Sequence, residues 1–265
     1  MREQIDLWSE HAPRGCDIEP AYLRLLGRNQ WLGDDVLPGF KDNLTTWFEE
    51  AGGLASDLMR IFALGLGLPE GHFDTWFGNE PMSLMKVIHY PVTPAEQFGV
   101  NAHHDAGFLT VLAAGETPGL EVANAAGEWI PVEPIKDAFV INLGEMMQGI
   151  TGNYFVATPH RVVTRQERYS VAYFHGPSLQ TPLTPLDLAP SYREAVAASP
   201  RHAGAGFMAS ASETKAGTGD MQSRHRPDVY GQQLWNYFNR SYPANMRLHY
   251  PNQHGPEEPE LPGPS

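Results

Sequence analysis

The sequence contains very little cysteine and few positive charges. Cys16 is the only cysteine among 265 residues, which excludes an intrachain disulfide framework and any zinc or iron–sulfur site built from several thiolates. Lysine and arginine number 18 against 31 aspartates and glutamates, so the formal net charge is −13. Because binding to nucleic acid without sequence preference requires a cationic surface, we do not expect a nucleic-acid partner.

Long apolar runs are also missing. The N-terminus reads Met-Arg-Glu-Gln-Ile-Asp-Leu-Trp and has no apolar stretch of the kind found in secretory signals. The longest apolar runs, such as residues 62–68, are too short to cross a bilayer. Together with the single cysteine, these absences predict a cytoplasmic protein that does not interact with membranes.

Turn-forming residues, by contrast, are abundant. The sequence has 26 glycines and 23 prolines, which favours many turns over a bundle of long helices. Apolar residues at three- and four-residue steps predict one helix at 40–67. Short β-type runs separated by turn residues then indicate a sandwich or barrel. They occupy residues 83–90, 108–113, 120–123, 129–132, 138–143, 160–164 and 169–174.

The C-terminal part has a different composition. Residues 199–228 are rich in Ala, Gly, Ser and Thr without a clear period, so we expect a long loop that could cover a pocket. A helical pattern resumes over residues 228–242. Residues 252–265 are dominated by Pro, Glu and Gly and predict a disordered tail.

A candidate metal site lies in the segment Asn101-Ala-His103-His104-Asp105. On an extended strand, residues two apart face the same side, so His103 and Asp105 project together while His104 points away. His160 is the best candidate for a third ligand. Two histidines and one carboxylate on one face leave three coordination positions open, which suits non-haem Fe(II) better than a catalytic zinc ion.

A second group of polar residues follows His160. Strand alternation places Arg168 and Ser170 on one face, where a guanidinium and a hydroxyl can clamp a carboxylate. Tyr90, at the end of an earlier strand, could add a phenol donor. Taken singly, each residue has an ordinary alternative, namely a surface turn, a strand edge, a surface ion pair or a half-buried aromatic. Their order and spacing together favour a functional site.

The ordered motifs resemble the isopenicillin-N-synthase-like group of Fe(II)/2-oxoglutarate-dependent oxygenases over residues 27–177. In chain order they are Asn29-Gln30-Trp31, Leu37-Pro38-Gly39-Phe40, His89-Tyr90-Pro91, His103-His104-Asp105, Gly107-Phe108-Leu109-Thr110, Gly119-Leu120-Glu121-Val122, Trp129-Ile130-Pro131-Val132, Val140-Ile141-Asn142-Leu143-Gly144-Glu145, Thr158-Pro159-His160-Arg161-Val162 and Arg168-Tyr169-Ser170.

This resemblance implies a mainly β protein with flanking helices and a double-stranded β-helix core, that is, a cupin-like jelly roll. It implies that iron is bound by His103, Asp105 and His160, and that O2 is a further co-substrate. It also implies that Arg168 and Ser170 hold the distal carboxylate of 2-oxoglutarate, assisted by Tyr90. Phe174 matches a position that often lines the substrate pocket in similar enzymes.

The chain departs from the family pattern in three places. Its N-terminal region is short, so residues 1–80 are interpreted as a shortened helical segment, 81–250 as the jelly-roll domain with its C-terminal helix, and 251–265 as a disordered tail. Ile88 stands where relatives often have Asn. The interval from His160 to Arg168 is shorter by about two residues, and an even-numbered deletion preserves the strand face of Arg168.

The expected function is an oxygenase that hydroxylates, desaturates or cyclises a small organic substrate and releases succinate and CO2. Two alternatives remain open on sequence grounds. One is an iron-dependent oxidase of the same family that does not use 2-oxoglutarate, since such members also carry an Arg-x-Ser motif. The other is a non-catalytic or partner-dependent jelly-roll binding protein, because the short N-terminus could leave the pocket open.

Overall fold

The strands of the computed structural model, which describes residues 2–94, 97–199 and 229–250, form two antiparallel sheets. The larger sheet has the order β1 (Glu3–Trp8), β2 (Leu84–Tyr90), β9 (Arg168–His175), β4 (Leu109–Ala113) and β7 (Val140–Leu143). The smaller sheet has the order β3 (Val100–His103), β8 (His160–Val162), β5 (Leu120–Ala123) and β6 (Trp129–Pro131).

The two sheets enclose an apolar interior. Within each strand, alternate residues face this interior, because successive side chains point to opposite sides of a strand. Ile88 and Tyr90 of the larger sheet pack with Leu120 and Val162 of the smaller one. All strand pairs are antiparallel, and many neighbouring strands are distant in sequence. This is the arrangement of a double-stranded β-helix. The expected jelly-roll fold is therefore confirmed.

A long helix covers the outer face of the larger sheet. This helix, α1 (Phe40–Gly65), buries a stripe of small residues and one methionine, namely Ala51, Ala55, Met59 and Ala63. The small side chains allow a close approach to the sheet, where the ring of Phe48 meets that of Tyr173 edge-on at 5.0 Å between centroids. Burial of this stripe stabilises the packing of α1 on the outer face of the sheet. The opposite face of the sheet is the one that faces the interior.

Short helices complete the structure. They are α2 (Asp74–Phe77), α3 (Glu145–Ile150), α4 (Pro190–Ala198), α5 (Tyr230–Ser241) and α6 (Pro243–His249), with a 3₁₀ turn at Ala21–Leu25. Helix α5 packs closely on that turn, since a Cβ at Gly231 would lie 2.3 Å from the Tyr22 ring. Within the described ranges, no helix is both long enough and apolar enough to cross a membrane.

The observed elements agree with most of the sequence predictions. Helix α1 and seven of the strands lie within a few residues of their expected positions, and α5 lies within the helix expected at 228–242. Residues 1–80 contain the expected helix and also β1, a strand that the pattern analysis does not predict. The expected loop at 199–228, apart from Ser199, and the expected tail at 252–265 fall outside the described residues.

Candidate active site

Two histidines face each other across the smaller sheet. His103 is the last residue of β3 and His160 is the first of β8, and the two are cross-strand partners. Between the Val100–Val162 pair and this pair the register shifts, so β3 contains one extra residue. Such a bulge changes the direction of a side chain, and here the ring centroids come within 4.2 Å.

Backbone carbonyls determine which ring nitrogen of each histidine is free. Nδ1 of His103 lies 2.9 Å from the carbonyl oxygen of Asn101, and Nδ1 of His160 lies 3.1 Å from that of Thr158. A carbonyl oxygen only accepts, so each Nδ1 donates a proton and each neutral ring presents an unprotonated Nε2. Burial, reinforced by nearby His160, lowers the pKa of His103 and favours this neutral form.

The carboxylate of Asp105 is oriented by two side-chain donors. It is 7% exposed, and its Oδ2 accepts 2.7 Å hydrogen bonds from the Thr110 hydroxyl and the Asn142 amide. Its Oδ1 points instead toward the histidines, at 3.9 Å from Nε2 of His103 and 3.6 Å from Nε2 of His160. These separations are too long for hydrogen bonds, so no shared proton joins the three groups.

The chemistry of this donor set fits a divalent metal ion. One atom from each of His103, Asp105 and His160 lies within 4.8 Å of the other two. Two neutral imidazole nitrogens and one carboxylate oxygen are all acceptors, and a bound cation relieves the repulsion between such atoms where they converge. The structure thus brings together all three metal ligands expected from the sequence, although β3 ends before Asp105.

Close backbone packing holds Asp105 in position. A Cβ at Gly144 would lie 2.1 Å from the carbonyl oxygen of Gly107, so no larger residue fits there. This approach lets the backbone N–H of Glu145, at the start of α3, donate to the carbonyl oxygen of Asp105 over 2.8 Å. His104 lies beside Glu145, with its Nδ1 3.9 Å from Oε1, and is not one of the three residues whose ligand atoms converge.

A buried arginine lies opposite Tyr90 on the interior face of the larger sheet. Arg168 is 2% exposed and donates to the carbonyl oxygens of Ala114 at 2.9 Å and Thr117 at 3.3 Å. Its guanidinium carbon is 5.1 Å from the centre of the Tyr90 ring. Burial lowers the pKa of Arg168, while Tyr90 acts in the opposite direction. The shortened interval after His160 therefore leaves Arg168 on the interior face.

This arginine retains donors that no carboxylate of the described residues uses. Within residues 2–94, 97–199 and 229–250, no carboxylate forms an ion pair with Arg168. A guanidinium has five N–H groups, and the two backbone carbonyls leave several of them available. Ser170 is buried two residues along the same strand face, and no side chain or backbone group of the described residues bonds its hydroxyl. A buried charge of this kind is stabilised by a bound carboxylate.

Phe174 lies close to the metal-ligand group. It is the cross-strand partner of Thr110, whose hydroxyl bonds Asp105, and partners across antiparallel strands project from the same face. Thr110 and Asn142 also belong to the site, although the sequence pattern indicates no role for either residue. Their periodic placement on β4 and β7 predicts that they face the interior, but only the packed sheet shows that Asp105 reaches them.

The fold and the site together define a class of protein. A jelly roll with two histidines and one carboxylate at the edge of one sheet, and a buried arginine on the other, is typical of mononuclear non-haem iron enzymes. Residues 81–177 match the family described as the 2OG-Fe(II) oxygenase superfamily, so this region is a member of that superfamily. The family expected from the motifs is thus confirmed.

Curated relatives and solved structures agree with this membership. The chain is 35% identical over 173 residues to the 2-oxoglutarate-dependent dioxygenase citB of Monascus ruber, covering 61% of this chain and 53% of that protein. It is 36% identical over 163 residues to the Kihadalactone A synthase LFS of Citrus sinensis, covering 57% and 48%. The chain therefore spans about half the length of the curated relatives it matches.

Among solved structures, a full-length Neurospora crassa protein in complex with alpha-KG and 5-formyluracil is similar at a TM-score of 0.62 and 25% identity. That match covers 72% of this chain and 63% of the other. The rice dioxygenase for auxin oxidation is similar at a TM-score of 0.55 and 30% identity, with 70% and 60% covered. These neighbours support the double-stranded β-helix assignment.

Proposed function

We propose that the chain is a non-haem Fe(II)- and 2-oxoglutarate-dependent oxygenase that hydroxylates, desaturates or cyclises a small organic substrate. One observation carries the proposal: three metal-ligand atoms converge within 4.8 Å in the same jelly roll that buries an arginine without a carboxylate partner among the described residues. A bound Fe(II) would supply the oxidative chemistry with O2, using electrons from 2-oxoglutarate and releasing succinate and CO2.

His103, Asp105 and His160 would hold the iron. The carbonyls of Asn101 and Thr158 keep both imidazoles in the tautomer that presents Nε2. Removal of hydrogen-bond partners of this kind typically lowers metal affinity or activity by about 10–100-fold. The ligands are therefore oriented before metal binds, which lowers the cost of ordering them.

Arg168 would bind the distal carboxylate of 2-oxoglutarate. A guanidinium binds a carboxylate through two parallel hydrogen bonds, and this pairing is stronger in a buried place than in water. Ser170 would donate a further hydrogen bond from the same strand face. Tyr90 would keep the guanidinium in place through its ring and hydroxyl, which agrees with its effect on the arginine pKa.

Phe174 would form part of the substrate pocket. Its position opposite Thr110 puts an aromatic ring beside the residues that orient Asp105. An apolar wall at this place excludes water from the reacting end of the substrate and limits its size. Together with similarity to several 2-oxoglutarate-dependent dioxygenases, this favours a small-molecule substrate.

The proposal is tested by adding Fe(II) and 2-oxoglutarate to the protein without oxygen. We expect a visible metal-to-ligand charge-transfer band, and then conversion of 2-oxoglutarate to succinate once oxygen is admitted. His160→Ala is expected to lose both signals. Glu121→Gln, which alters an ion pair on the outer face of the smaller sheet, serves as a folded control.

The same measurements separate the alternatives. Oxygen consumption that needs iron and an organic substrate but not 2-oxoglutarate would indicate the oxidase instead. A folded, iron-loaded protein that shows no band and forms no succinate would contradict the proposal and leave a non-catalytic binding role.

A further inference from the structure

Lys86 and Asp6 form an ion pair that has no role in the metal site or the arginine site. Nζ of Lys86 lies 3.0 Å from Oδ2 of Asp6, and the two residues are direct cross-strand partners on β2 and β1. Neither residue belongs to a motif used for the family resemblance.

Cross-strand register places the pair on the interior face. Directly opposed residues of antiparallel strands project from the same side, so one row of side chains can be followed across the whole sheet. This row consists of Asp6, Lys86, Ala172, Leu112 and Val140. Its far members, Leu112 and Val140, pack in the apolar cluster between the two sheets. Lys86 therefore projects to the side that carries Arg168.

The neighbouring rows are those of the proposed active site. Two residues before Lys86, Leu84 is the partner of Phe174, in the row that contains Thr110 and Asn142. Two residues after Lys86, Ile88 is the partner of Ser170. Lys86 thus lies between the metal-side row and the proposed 2-oxoglutarate row. Its own partner, Ala172, has only a methyl group and offers the ammonium no acceptor.

Helix α5 packs against the β1 end of the larger sheet. The ring of Phe238 on α5 meets that of Trp8 on β1 edge-on, with centroids 5.7 Å apart. Burial raises the pKa of Tyr237 on the same helix to about 12, and the charge of Asp6 contributes to the shift. Both observations place α5 beside β1 near the ion pair, in which Asp6 stays exposed on the edge strand and Lys86 lies deeper in the sheet.

Lys86 retains donors for a ligand. Oδ1 of Asp6 accepts a 2.8 Å hydrogen bond from the Gln4 side-chain amide, and its Oδ2 accepts one from the Lys86 ammonium. An ammonium has three N–H groups, and among the described residues only Asp6 accepts one of them. The Lys86 side chain is 15% exposed, against 32% for Asp6. The more buried partner is therefore the cation, and its charge is the less screened of the two.

An ion pair that only joins two neighbouring strands can lie on the outer face of a sheet. The Arg161–Glu121 pair has the same cross-strand geometry on the outer face of the smaller sheet, where it stacks on Trp129. Lys86 instead faces the interior between the metal-side row and the proposed 2-oxoglutarate row, where its ammonium can contact a bound ligand.

We propose that Lys86 selects the organic substrate by binding an acceptor oxygen on it, in particular a carboxylate, and that Asp6 is the positioning residue for the ammonium. This inference rests on the proposed oxygenase function and specifies its substrate class as a small carboxylic acid. A carboxylate is favoured over a neutral carbonyl because charge-assisted hydrogen bonds are about twice as strong.

The test compares acids with their matched esters. The probes are phenylacetate and octanoate with the corresponding methyl esters, measured by saturation-transfer NMR on the protein without iron. Succinate formation from 2-oxoglutarate is then measured with Fe(II) and O2. In the wild type we expect both acids to bind about tenfold more tightly than their esters and to increase succinate formation at lower concentration.

Substitutions assign that preference to Lys86. Lys86→Met keeps most of the side-chain volume and is expected to reduce the preference to about twofold or less, while Lys86→Arg is expected to retain it. Asp6→Asn is expected to weaken acid binding without changing ester binding. Glu121→Gln serves as the control for loss of a cross-strand ion pair and is expected to behave as the wild type.

The outcomes distinguish this inference from the proposed function. Equal signals from acid and ester, or no signal from either, would overturn the role of Lys86. So would an acid preference that persists in Lys86→Met. If the acid preference follows Lys86 while no succinate forms under any condition, the recognition role holds and the oxygenase proposal fails.

Discussion

The carboxylate of Asp105 accepts a 2.7 Å hydrogen bond from the side-chain amide of Asn142, a residue 37 positions later in the sequence. The bond uses Oδ2 and leaves Oδ1 directed at the two histidines. A residue on β7 of the larger sheet therefore orients a ligand that follows β3 of the smaller sheet. This single contact connects the packing of the two sheets with the geometry of the metal site.

Replacing Asn142 with Ala is expected to reduce Fe(II) affinity by about 10–100-fold, because the Asp105 carboxylate loses one of its two side-chain donors. Competition with a chromogenic chelator would measure the change. Asn101→Ala is the control, since His103 uses the backbone carbonyl of Asn101 and not its side chain. Unchanged affinity in Asn142→Ala would show that Thr110 alone orients the carboxylate.

Replacing Arg168 with Met is expected to abolish the thermal stabilisation that 2-oxoglutarate gives to the iron-loaded wild type. The folded protein without 2-oxoglutarate should not be destabilised by loss of a salt bridge, because Arg168 has no carboxylate partner among the described residues. Arg168→Lys should give partial stabilisation, since one ammonium does not reproduce a two-pronged contact. The shift in unfolding temperature that 2-oxoglutarate causes is measured for each variant. Full stabilisation in Arg168→Met would contradict the assignment.

The stability of the fold is expected to depend on pH through His89. The hydrogen bond to Glu3, and to a smaller extent the one to Glu167, raises the pKa of this histidine. These bonds connect β2 with β1 and with the turn before β9. A raised folded-state pKa means that the contribution is complete below the unfolded value of about 6.5 and disappears as pH increases through the folded value. Denaturant unfolding should therefore show a difference between wild type and His89→Gln that decreases with increasing pH. A difference that grows with pH would reverse the sign of this linkage.

Two adjacent glycines of α1 are expected to respond differently to alanine. A Cβ at Gly53 would meet nothing within 4 Å, whereas one at Gly52 would lie 2.9 Å from the hydroxyl of Tyr173. Gly53→Ala should raise the free energy of unfolding by about 0.5–1 kcal/mol through helix propensity. Gly52→Ala should be less stable than Gly53→Ala by about 1 kcal/mol or more, because the packed tyrosine must shift. Chemical denaturation of both variants tests this, and equal effects would mean that the helix adjusts freely.

Local patterns were sufficient to predict most strands and the candidate ligands. The spacing of His103 and Asp105 and the alternation of Arg168 and Ser170 depend on a two-residue period, which is a property of one strand. Strand β1 was missed because Glu3–Trp8 has only two aliphatic residues in its alternation, Ile5 and Leu7, and Gln4 and Asp6 lie between them. Its membership of the larger sheet depends on pairing with β2 instead.

The types of ligand, their order and the strand faces on which they lie could all be read from the sequence, because they follow from side-chain chemistry and backbone periodicity. The packed sheets were needed to establish that Asp105 is oriented by Asn142, that the extra residue in β3 brings His103 to His160, and that Lys86 faces the interior. The physical reason is that cross-strand register depends on the simultaneous packing of strands distant in sequence. Periodicity shows which side of a strand a residue occupies, but not which residue it will meet.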